Sequence, residues 1–267
     1  MNTSGRYFAI CGLPVIPVRN RASHESEMVT QLLFGEPVEV YSVTGRWCRI
    51  CVYGEFQEGY ALQDQLHRIT SKEVKEYYRH FLLALPPLSS VRINGTRGYL
   101  PAGSRVPRAL LRRKKKGGYE ISAGTLRYGI SSRVLSGRKM KPAALSAYAK
   151  RFLNAPYLWG GKTVSGFDCS GFTQVIFRPA GIALPHSARR QNRMGKKLRS
   201  ITQAKPSDLL FFQNRQGKII HVGMVIEGGQ IIHASGRVRI DSFDETGIRN
   251  PEIRGYSHRF HSAVTFR

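Results

Sequence analysis

Cys169, His221 and His233 are the residue types that build a thiol nucleophile with an acid–base partner. Cys169 begins a segment whose apolar residues recur with helical spacing, and Asp168 before it suits a helix N-cap. Free N–H groups at a helix N-terminus favour an anion, so they lower the pKa of a thiol and can hold an oxyanion. The sequence therefore predicts a helix-borne nucleophile at Cys169. The alternative is a small buried core cysteine.

The two histidines lie in segments with strand character, on either side of a glycine-rich turn. His221 opens residues 221–226, and His233 lies within residues 231–235. In a catalytic triad one imidazole exchanges a proton with the nucleophile, and a third group orients that imidazole. The sequence predicts the first role for His221 and the second for His233. Taken singly, each histidine is more often an ordinary core or surface residue.

The register of this hairpin decides whether the two imidazoles share one site. Side chains alternate along a strand, so both histidines must point to the same face. A two-residue turn at Gly228-Gly229 would pair His233 with Met224 and turn it to the wrong face. The predicted triad therefore requires an odd-length loop or a glycine bulge, which pairs His233 with Gly223.

Five blocks of the C-terminal half resemble the NlpC-type cell-wall peptidases, which are papain-like cysteine hydrolases of peptidoglycan stem peptides. The blocks are residues 155–161, 168–171, 206–212, 221–223 and 232–235, in this order within residues 143–267. The resemblance implies acyl transfer through a thioester on sulfur, without a metal or an organic cofactor. It also implies substrate-binding positions, namely Tyr157, Trp159, Asp168 and Ser170. For Tyr157 and Trp159 the alternative is packing against the Cys169 helix.

Residues 15–60 resemble a bacterial SH3-like domain of the kind fused to dipeptidyl-type members of that family. The resemblance implies hydrolysis of the bond between γ-D-glutamate and a diamino acid such as diaminopimelate, in cell-wall turnover or recycling. It suggests that Glu27 and Tyr60 help to select the amino end of the substrate. The alternative for both residues is ordinary surface and barrel packing.

Ser187 marks a departure from those relatives. Residues 184–191 occupy the place of a segment in which recycling-type members carry an aspartate that helps to bind a free N-terminal amine. Ser187 stands at the aspartate position, and the residues around it are basic. An ammonium group there loses a charge-assisted partner and meets positive neighbours. We therefore expect a relaxed demand for a free N-terminal L-alanine.

Length and pattern predict several small domains. Together with the two resemblances they imply a multidomain α+β protein of two small SH3-like β-barrels and a papain-like catalytic domain, with the helix-borne cysteine packed on an antiparallel sheet. The first barrel is predicted over residues 1–70. A connector helix at residues 71–81 and a second SH3-like barrel fill residues 71–140. The peptidase domain covers residues 141–267 and opens with a helix over residues 141–153.

Positive charge is concentrated in the middle of the chain. The 267 residues carry 42 Lys and Arg against 17 Asp and Glu. Between Tyr77 and Pro206 the only acids are Glu120 and Asp168, beside 26 basic residues, so this stretch carries +24. Such a field attracts polyanions, which makes an anionic cell-wall polymer or other polyanionic surface an expected partner. A nucleic-acid-binding protein without hydrolytic activity is the alternative function.

Cysteine spacing bears on whether the chain holds a zinc site, and hydropathy bears on the compartment in which the protein works. Cys48 and Cys51 have C-x-x-C spacing within a strand-like run, where residues three apart point to opposite faces, so a shared zinc ion is not expected. No run approaches the ~18 apolar residues of a transmembrane helix. Residues 1–10 lack a signal-peptide pattern. As written the sequence predicts a cytoplasmic protein, or a periplasmic or secreted one if a leader was removed.

Overall fold

The fold is given by a computed structural model that describes residues 5–115 and 117–267. It divides into two compact units, with the boundary between Arg138 and Lys139. The structure therefore places the start of the C-terminal unit two residues before the predicted residue 141. None of the helices in the described ranges is long and apolar enough to cross a membrane.

Seven antiparallel strands form the first sheet of the N-terminal unit. They are β1 (Tyr7–Cys11), β2 (Val15–Arg19), β3 (Met28–Leu33), β4 (Pro37–Thr44), β5 (Trp47–Val52), β6 (Glu58–Leu62) and β7 (Leu66–Ile69). Their order in the sheet is β3-β2-β6-β5-β4-β1-β7. Alternate residues of each strand enter the core because strand side chains alternate. In β5 this alternation buries Cys48 and leaves Cys51 partly exposed, so the two thiols lie on opposite faces, as predicted.

One helix, α1 (Ser71–Arg79), follows the first sheet. It starts at a capping box, in which the Thr70 side chain accepts from the Glu73 N–H and the Glu73 carboxylate accepts from the Thr70 N–H. Val74 and Tyr77 are its buried residues. The helix was expected to continue to Phe81, but Phe81 instead begins a strand and pairs with Pro107. The hydrogen-bonded strand pairing of Phe81 with Pro107 therefore outweighs the helical spacing of the apolar residues, and the helix ends at Arg79.

Eight further short strands lie in the described residues of the N-terminal unit. They are β8 (Phe81–Ala84), β9 (Leu88–Ile93), β10 (Thr96–Pro101), β11 (Arg105–Pro107), β12 (Arg112–Arg113), β13 (Tyr119–Ala123), β14 (Leu126–Ile130) and β15 (Leu135–Ser136). They form two sheets, ordered β10-β9-β14-β13-β12 and β11-β8-β15. Phe34 packs in their core against Tyr128, whose hydroxyl donates to the Gly12 carbonyl at 2.7 Å. These contacts tie the strands to the first sheet, and an SH3-like class for residues 81–136 stays a prediction.

The C-terminal unit contains three helices and nine strands in its described residues. The helices are α2 (Leu145–Lys150), α3 (Cys169–Phe177) and α4 (Ala188–Gln191). The strands are β16 (Lys162–Thr163), β17 (Gly166–Phe167), β18 (Lys196–Lys197), β19 (Leu209–Gln213), β20 (Ile219–Ile226), β21 (Gln230–Ser235), β22 (Arg237–Phe243), β23 (Gly247–Asn250) and β24 (Gly255–Thr265). The predicted opening helix over residues 141–153 is shorter in the structure. A 3-10 turn at Pro142–Ala144 precedes α2, which ends at Lys150.

The main sheet of this unit curves until it closes. Its order is β18-β24-β19-β20-β21-β22-β23, and β23 also pairs with β24. Helix α3 packs against β20 and β21, burying every one of its nine residues. The predicted arrangement, a helix-borne cysteine on an antiparallel sheet, is therefore present. It brings the first turn of α3 next to the strands that carry the two histidines.

Candidate active site

Asp168 caps the helix that carries Cys169. Its backbone is extended, and its Oδ1 accepts hydrogen bonds from the Gly171 N–H at 2.6 Å and the Ser170 hydroxyl at 2.9 Å. Its Oδ2 accepts from the Gly160 N–H at 2.9 Å. These bonds satisfy donors that the helix itself leaves free, and they attach the preceding loop to the first turn. Asp168 therefore fixes the position of Cys169 as the first helical residue.

The Cys169 sulfur lies against three backbone N–H groups, and its side chain is almost fully buried. The N–H groups of Cys169, Ser170 and Val222 hydrogen-bond the sulfur and favour its thiolate. Burial opposes them more strongly, and with the nearby Asp168 charge it raises the pKa of Cys169 to about 12. The N–H groups of the helix N-terminus therefore lower this pKa as expected, but burial outweighs them, and the expected net lowering is wrong for the resting site. The resting sulfur is a thiol that needs a base.

The hairpin register matches the requirement set by the two histidines. Strands β20 and β21 pair Met224 with Ile232 and Ile226 with Gln230, so three residues close the turn. Extending this register places His233 opposite Gly223, where a Cβ would lie 2.9 Å from the His233 Cβ. The prediction of an odd-length loop is confirmed. Gly228 and Gly229 both adopt positive φ in that turn, at 77° and 65°.

Two short hydrogen bonds join His221, His233 and Asp241 in a chain. His221 Nε2 lies 2.8 Å from His233 Nδ1, and His233 Nε2 lies 2.9 Å from Asp241 Oδ2. All three side chains are buried, with relative exposures of 4, 1 and 4%. Because His221 Nε2 is engaged by His233, Nδ1 is the His221 nitrogen that remains for another partner.

A third imidazole, His258 on β24, stacks on His221. Their ring centroids are 4.0 Å apart with an interplanar angle of 23°. Burial, and the repulsion that a charged His233 would exert, lower the pKa of His258 to about 4. Burial and the same kind of repulsion from His258 and His233 hold the pKa of His221 well below its ordinary value. His221 is therefore neutral at physiological pH, the form that can accept a proton.

A pocket of about 380 Å³ opens onto the cysteine. Its lining includes Cys169 together with the five substrate positions expected in this unit, Tyr157, Trp159, Asp168, Ser170 and Ser187. Burial, Cys169 and Asp168 together raise the pKa of Tyr157 to about 12, so its hydroxyl stays protonated and can donate. Trp159 is 60% exposed, which favours a surface for substrate over packing under the helix.

The pocket has a basic rim. His186, Arg189 and Lys218 also line it. Asp168 is the one acid in the lining, and its oxygens already accept hydrogen bonds from Gly160, Ser170 and Gly171. The described lining therefore offers little to bind an ammonium group and several groups that attract a carboxylate.

Glu27 and Tyr60 belong to the N-terminal unit. Glu27 is exposed just before β3, and its carbonyl accepts from the Asn20 N–H at 2.9 Å. Tyr60 lies on β6 and pairs with Arg19 of β2 and Arg49 of β5. Their suggested contribution to substrate selection stays a prediction.

Comparison with known proteins identifies the family. Residues 154–255 match the model of the NlpC/P60 family, and residues 18–66 match that of the bacterial dipeptidyl-peptidase SH3 domain. A γ-D-glutamyl-L-lysine dipeptidyl-peptidase from Bacillus subtilis is 31% identical over 215 residues, which cover 77% of this chain and 71% of the relative. The chain belongs to the NlpC/P60 family. The predicted family, enzyme class and order of an SH3-like domain before the peptidase domain are thereby confirmed.

One further relative matches only part of this chain, and one solved structure matches nearly all of it. A probable endopeptidase p60 from Listeria grayi is 43% identical over 106 residues, which cover 39% of this chain and 20% of that protein. A crystal structure of an NlpC/P60 protein from Bacillus cereus superposes with a TM-score of 0.81, covering 97% of this chain and 99% of that one at 21% identity. The latter supports the fold.

Sequence reasoning missed three residues of this NlpC/P60 site: Asp241, Arg239 and His258. Each lies on a strand that reaches the histidines only through sheet pairing or curvature. Arg239 pairs directly with His233, and Asp241 pairs with Ile231 two residues away on the same face. The signal available was the alternation of charged and apolar residues along β22, with Arg237, Arg239 and Asp241 on one face of a strand in the core of the unit.

The stacked His258 makes folding of this NlpC/P60 protein sensitive to mild acid. Its pKa is about 4 when folded and near 6.5 when unfolded, so between these values the unfolded chain binds the extra proton. Stability is therefore lost as pH falls from about 6.5 towards 4, by up to about 3 kcal/mol from this group. We expect the difference in unfolding free energy between pH 7 and pH 4.5, measured by urea denaturation, to shrink in His258→Phe, which keeps the stacked ring without the charge. The same difference in both proteins would contradict this assignment.

Proposed function

We propose that this protein is a cysteine peptidase that hydrolyses the γ-D-glutamyl–diamino acid bond of peptidoglycan stem peptides in cell-wall turnover or recycling. The observation that carries the proposal is the hydrogen bond between His221 and His233 on strands β20 and β21, against which the helix that begins at Cys169 packs. The cysteine opens onto a pocket large enough for part of a peptide. Two relatives named γ-D-glutamyl-L-lysine dipeptidyl-peptidase, of which this chain covers 68 and 71%, support the bond.

The first half-reaction is acyl transfer to sulfur. His221 Nδ1 takes the proton from the Cys169 thiol as the sulfur attacks the γ-carbonyl carbon of D-glutamate. The carbonyl π electrons move to oxygen, and backbone N–H groups around Cys169 hold the resulting oxyanion. When the C–N bond breaks, His221 gives its proton to the leaving amine of the diamino acid. A thioester remains on Cys169.

The second half-reaction returns the enzyme to its starting state. His221, neutral again, takes a proton from water as the water oxygen attacks the thioester carbon. The C–S bond breaks and the thiolate recovers the proton from His221, releasing the γ-carboxylic acid, which loses its proton to solvent. A resting neutral thiol and a neutral imidazole suit this cycle because both proton transfers happen only when a substrate carbonyl is in place.

Direct assay tests the proposal. The purified protein is incubated with L-Ala-γ-D-Glu-meso-diaminopimelate and with the L-lysine counterpart, and products are separated by mass spectrometry. Release of L-Ala-D-Glu together with the free diamino acid is the expected result. Absence of turnover on both peptides and on intact peptidoglycan, with tight salt-dependent binding to DNA or RNA, would replace the proposal with the nucleic-acid alternative.

Recognition of the substrate's amino end is expected to be weak. We expect N-acetylation of L-Ala-γ-D-Glu-diaminopimelate to change kcat/KM less than about tenfold. With Ser187 in place of an acid, the one acid of the pocket is Asp168, whose oxygens already accept three hydrogen bonds. A preference for the free amine of about 100-fold, equivalent to ~3 kcal/mol of transition-state binding, would contradict this reading.

Ser187→Asp offers the converse test. Ser187 has φ 75°, and its hydroxyl accepts from the Arg190 N–H as the N-cap of α4. Asp and Asn both serve as N-caps, so either side chain can take over the capping bond of the Ser187 hydroxyl. Ser187→Asp should sharpen the preference for the free amine, and the uncharged Ser187→Asn should not. Equal effects of the two variants would show that charge at this position does not select the amine.

Binding of an anionic cell-wall polymer through the basic stretch between Tyr77 and Pro206 stays part of this proposal. Glu27 and Tyr60 remain proposed contributors to binding of the substrate's amino end.

A further inference from the structure

We propose that Asp241, held by Arg239, is a positioning residue that fixes the tautomers of both histidines, so that the nitrogen of His221 left for Cys169 is the basic one. The inference rests on the proposed roles of Cys169 and His221. Its evidence is the unbroken line of buried polar atoms from Arg239 to His221.

The tautomers follow from what each atom can donate. A carboxylate only accepts hydrogen bonds, so the 2.9 Å contact with Asp241 Oδ2 requires a proton on His233 Nε2. In a neutral imidazole the other nitrogen is then an acceptor, which leaves His233 Nδ1 to accept from His221 Nε2–H at 2.8 Å. His221 Nδ1 is consequently without a proton. One carboxylate at the end of the chain thus decides which His221 nitrogen is the base.

Arg239 keeps that carboxylate ionised and aimed at His233. Its Nη2 donates to Asp241 Oδ1 at 3.0 Å, and its Nε lies 2.8 Å from Oδ2. Burial raises the pKa of Asp241, but the hydrogen bonds from His233 and Arg239 and the charge of Arg239 outweigh it, so the pKa is lowered. A fixed negative charge is therefore available at the far end of the histidine pair.

The guanidinium is itself held from the other side. Arg239 Nη1 donates to Glu252 Oε2 at 2.6 Å, and Nη2 donates to Asn250 Oδ1 at 3.1 Å. The carboxylates of Asp241 and Glu252 thus orient the planar guanidinium of Arg239, whose side chain is 9% exposed. With Asp241 and His233 both buried, water does not compete for the bond between them, so the tautomer preference is strong.

Asp241→Asn is the test variant because it keeps the size of the side chain. Oδ1 accepts from Arg239 Nη2 and Oδ2 from His233 Nε2, so an amide nitrogen meets a donor in either orientation and the His233 bond is weakened or reversed. We expect kcat on the diaminopimelate peptide to fall by about 100-fold, with KM changed less than about threefold. Asp244→Asn is the matched control. Asp244 follows the same strand, and its Oδ2 lies 2.7 Å from Arg249 Nε rather than beside a histidine. Its kcat should stay within about twofold of the unsubstituted protein.

A double-mutant cycle separates positioning from general support of the fold. If Asp241 acts through His233, Asp241→Asn should cost nothing further, within about twofold, in a His233→Ala background. A purely structural role would give the same loss in both backgrounds. Melting temperatures of all variants report whether the fold survives.

Nitrogen NMR of the imidazoles reads the tautomers without any turnover. In the unsubstituted protein at pH 7 both His221 and His233 should appear as neutral Nε2–H tautomers, and Asp241→Asn should shift His233 away from this state. A His233 protonated on Nδ1, or unchanged kcat in Asp241→Asn, overturns the inference. Inactivity of the unsubstituted protein would instead overturn the proposed function, and the NMR result would still decide the tautomers.

Discussion

Replacing Cys169 with alanine is expected to lower kcat/KM for the γ-D-glutamyl peptide by at least about 1,000-fold. The sulfur forms and breaks the bond to the acyl group, and no other cysteine is among the residues that line the described pocket. The fold should persist, because Asp168 and its capping bonds do not involve the thiol. Steady-state kinetics and a thermal melt of the same preparation measure both quantities.

Cys51→Ser provides the matched control for Cys169→Ala. Cys51 lies on β5 of the N-terminal unit and is partly exposed, so exchanging its sulfur for oxygen tests for non-specific effects of losing a thiol. We expect its kcat/KM to stay within about twofold of the unsubstituted protein. Full activity of Cys169→Ala would rule out sulfur as the nucleophile, and equal losses in both variants would point to a general effect on folding.

His221→Gln is expected to lower kcat by about 1,000-fold or more at pH 7, because the buried thiol then has no base. With the pKa of Cys169 raised to about 12, the thiolate fraction without a base grows about tenfold for each pH unit below that value. The residual rate of His221→Gln should therefore climb steeply with pH, whereas the unsubstituted enzyme should be nearly flat above pH 7. A flat residual profile would contradict this role of His221.

Substitutions of two other histidines, His233 and His261, provide comparisons for the loss of kcat in His221→Gln. His233→Gln removes the partner that orients His221 but leaves the base, so a smaller loss of about 10- to 100-fold is expected. His261→Gln changes an exposed imidazole on β24 that hydrogen-bonds to Ser262, and it should leave kcat within about twofold. A ranking of the three losses in any other order would require a different division of roles.

Local chemistry made most of the candidate site predictable. Asp168 as a cap, Cys169 as the first helical residue and the odd-length loop between the histidine strands depend on backbone rules that act over a few residues. The odd loop length could be predicted because a strand has only two faces. The requirement that both histidines share one site therefore selected the pairing of His233 with Gly223.

Local patterns also misled in two places. Helical spacing extended the connector helix to Phe81, but strand pairing with Pro107 ends the helix at Arg79. The helix N-terminus suggested a low thiol pKa, whereas burial raises it. In both cases a tertiary interaction, invisible to spacing along the chain, outweighed a local preference.

By itself, the sequence determined the family, the helix-borne cysteine and the two histidine strands, because motif order and side-chain alternation are properties of the chain. Only the tertiary structure revealed that Asp241 ends the line of hydrogen bonds through His233 and that His258 stacks on His221. Neither contact is encoded in spacing. Strands β22 and β24 approach the site because sheet pairing and closure carry them there, and burial then sets the protonation of the groups they bring together.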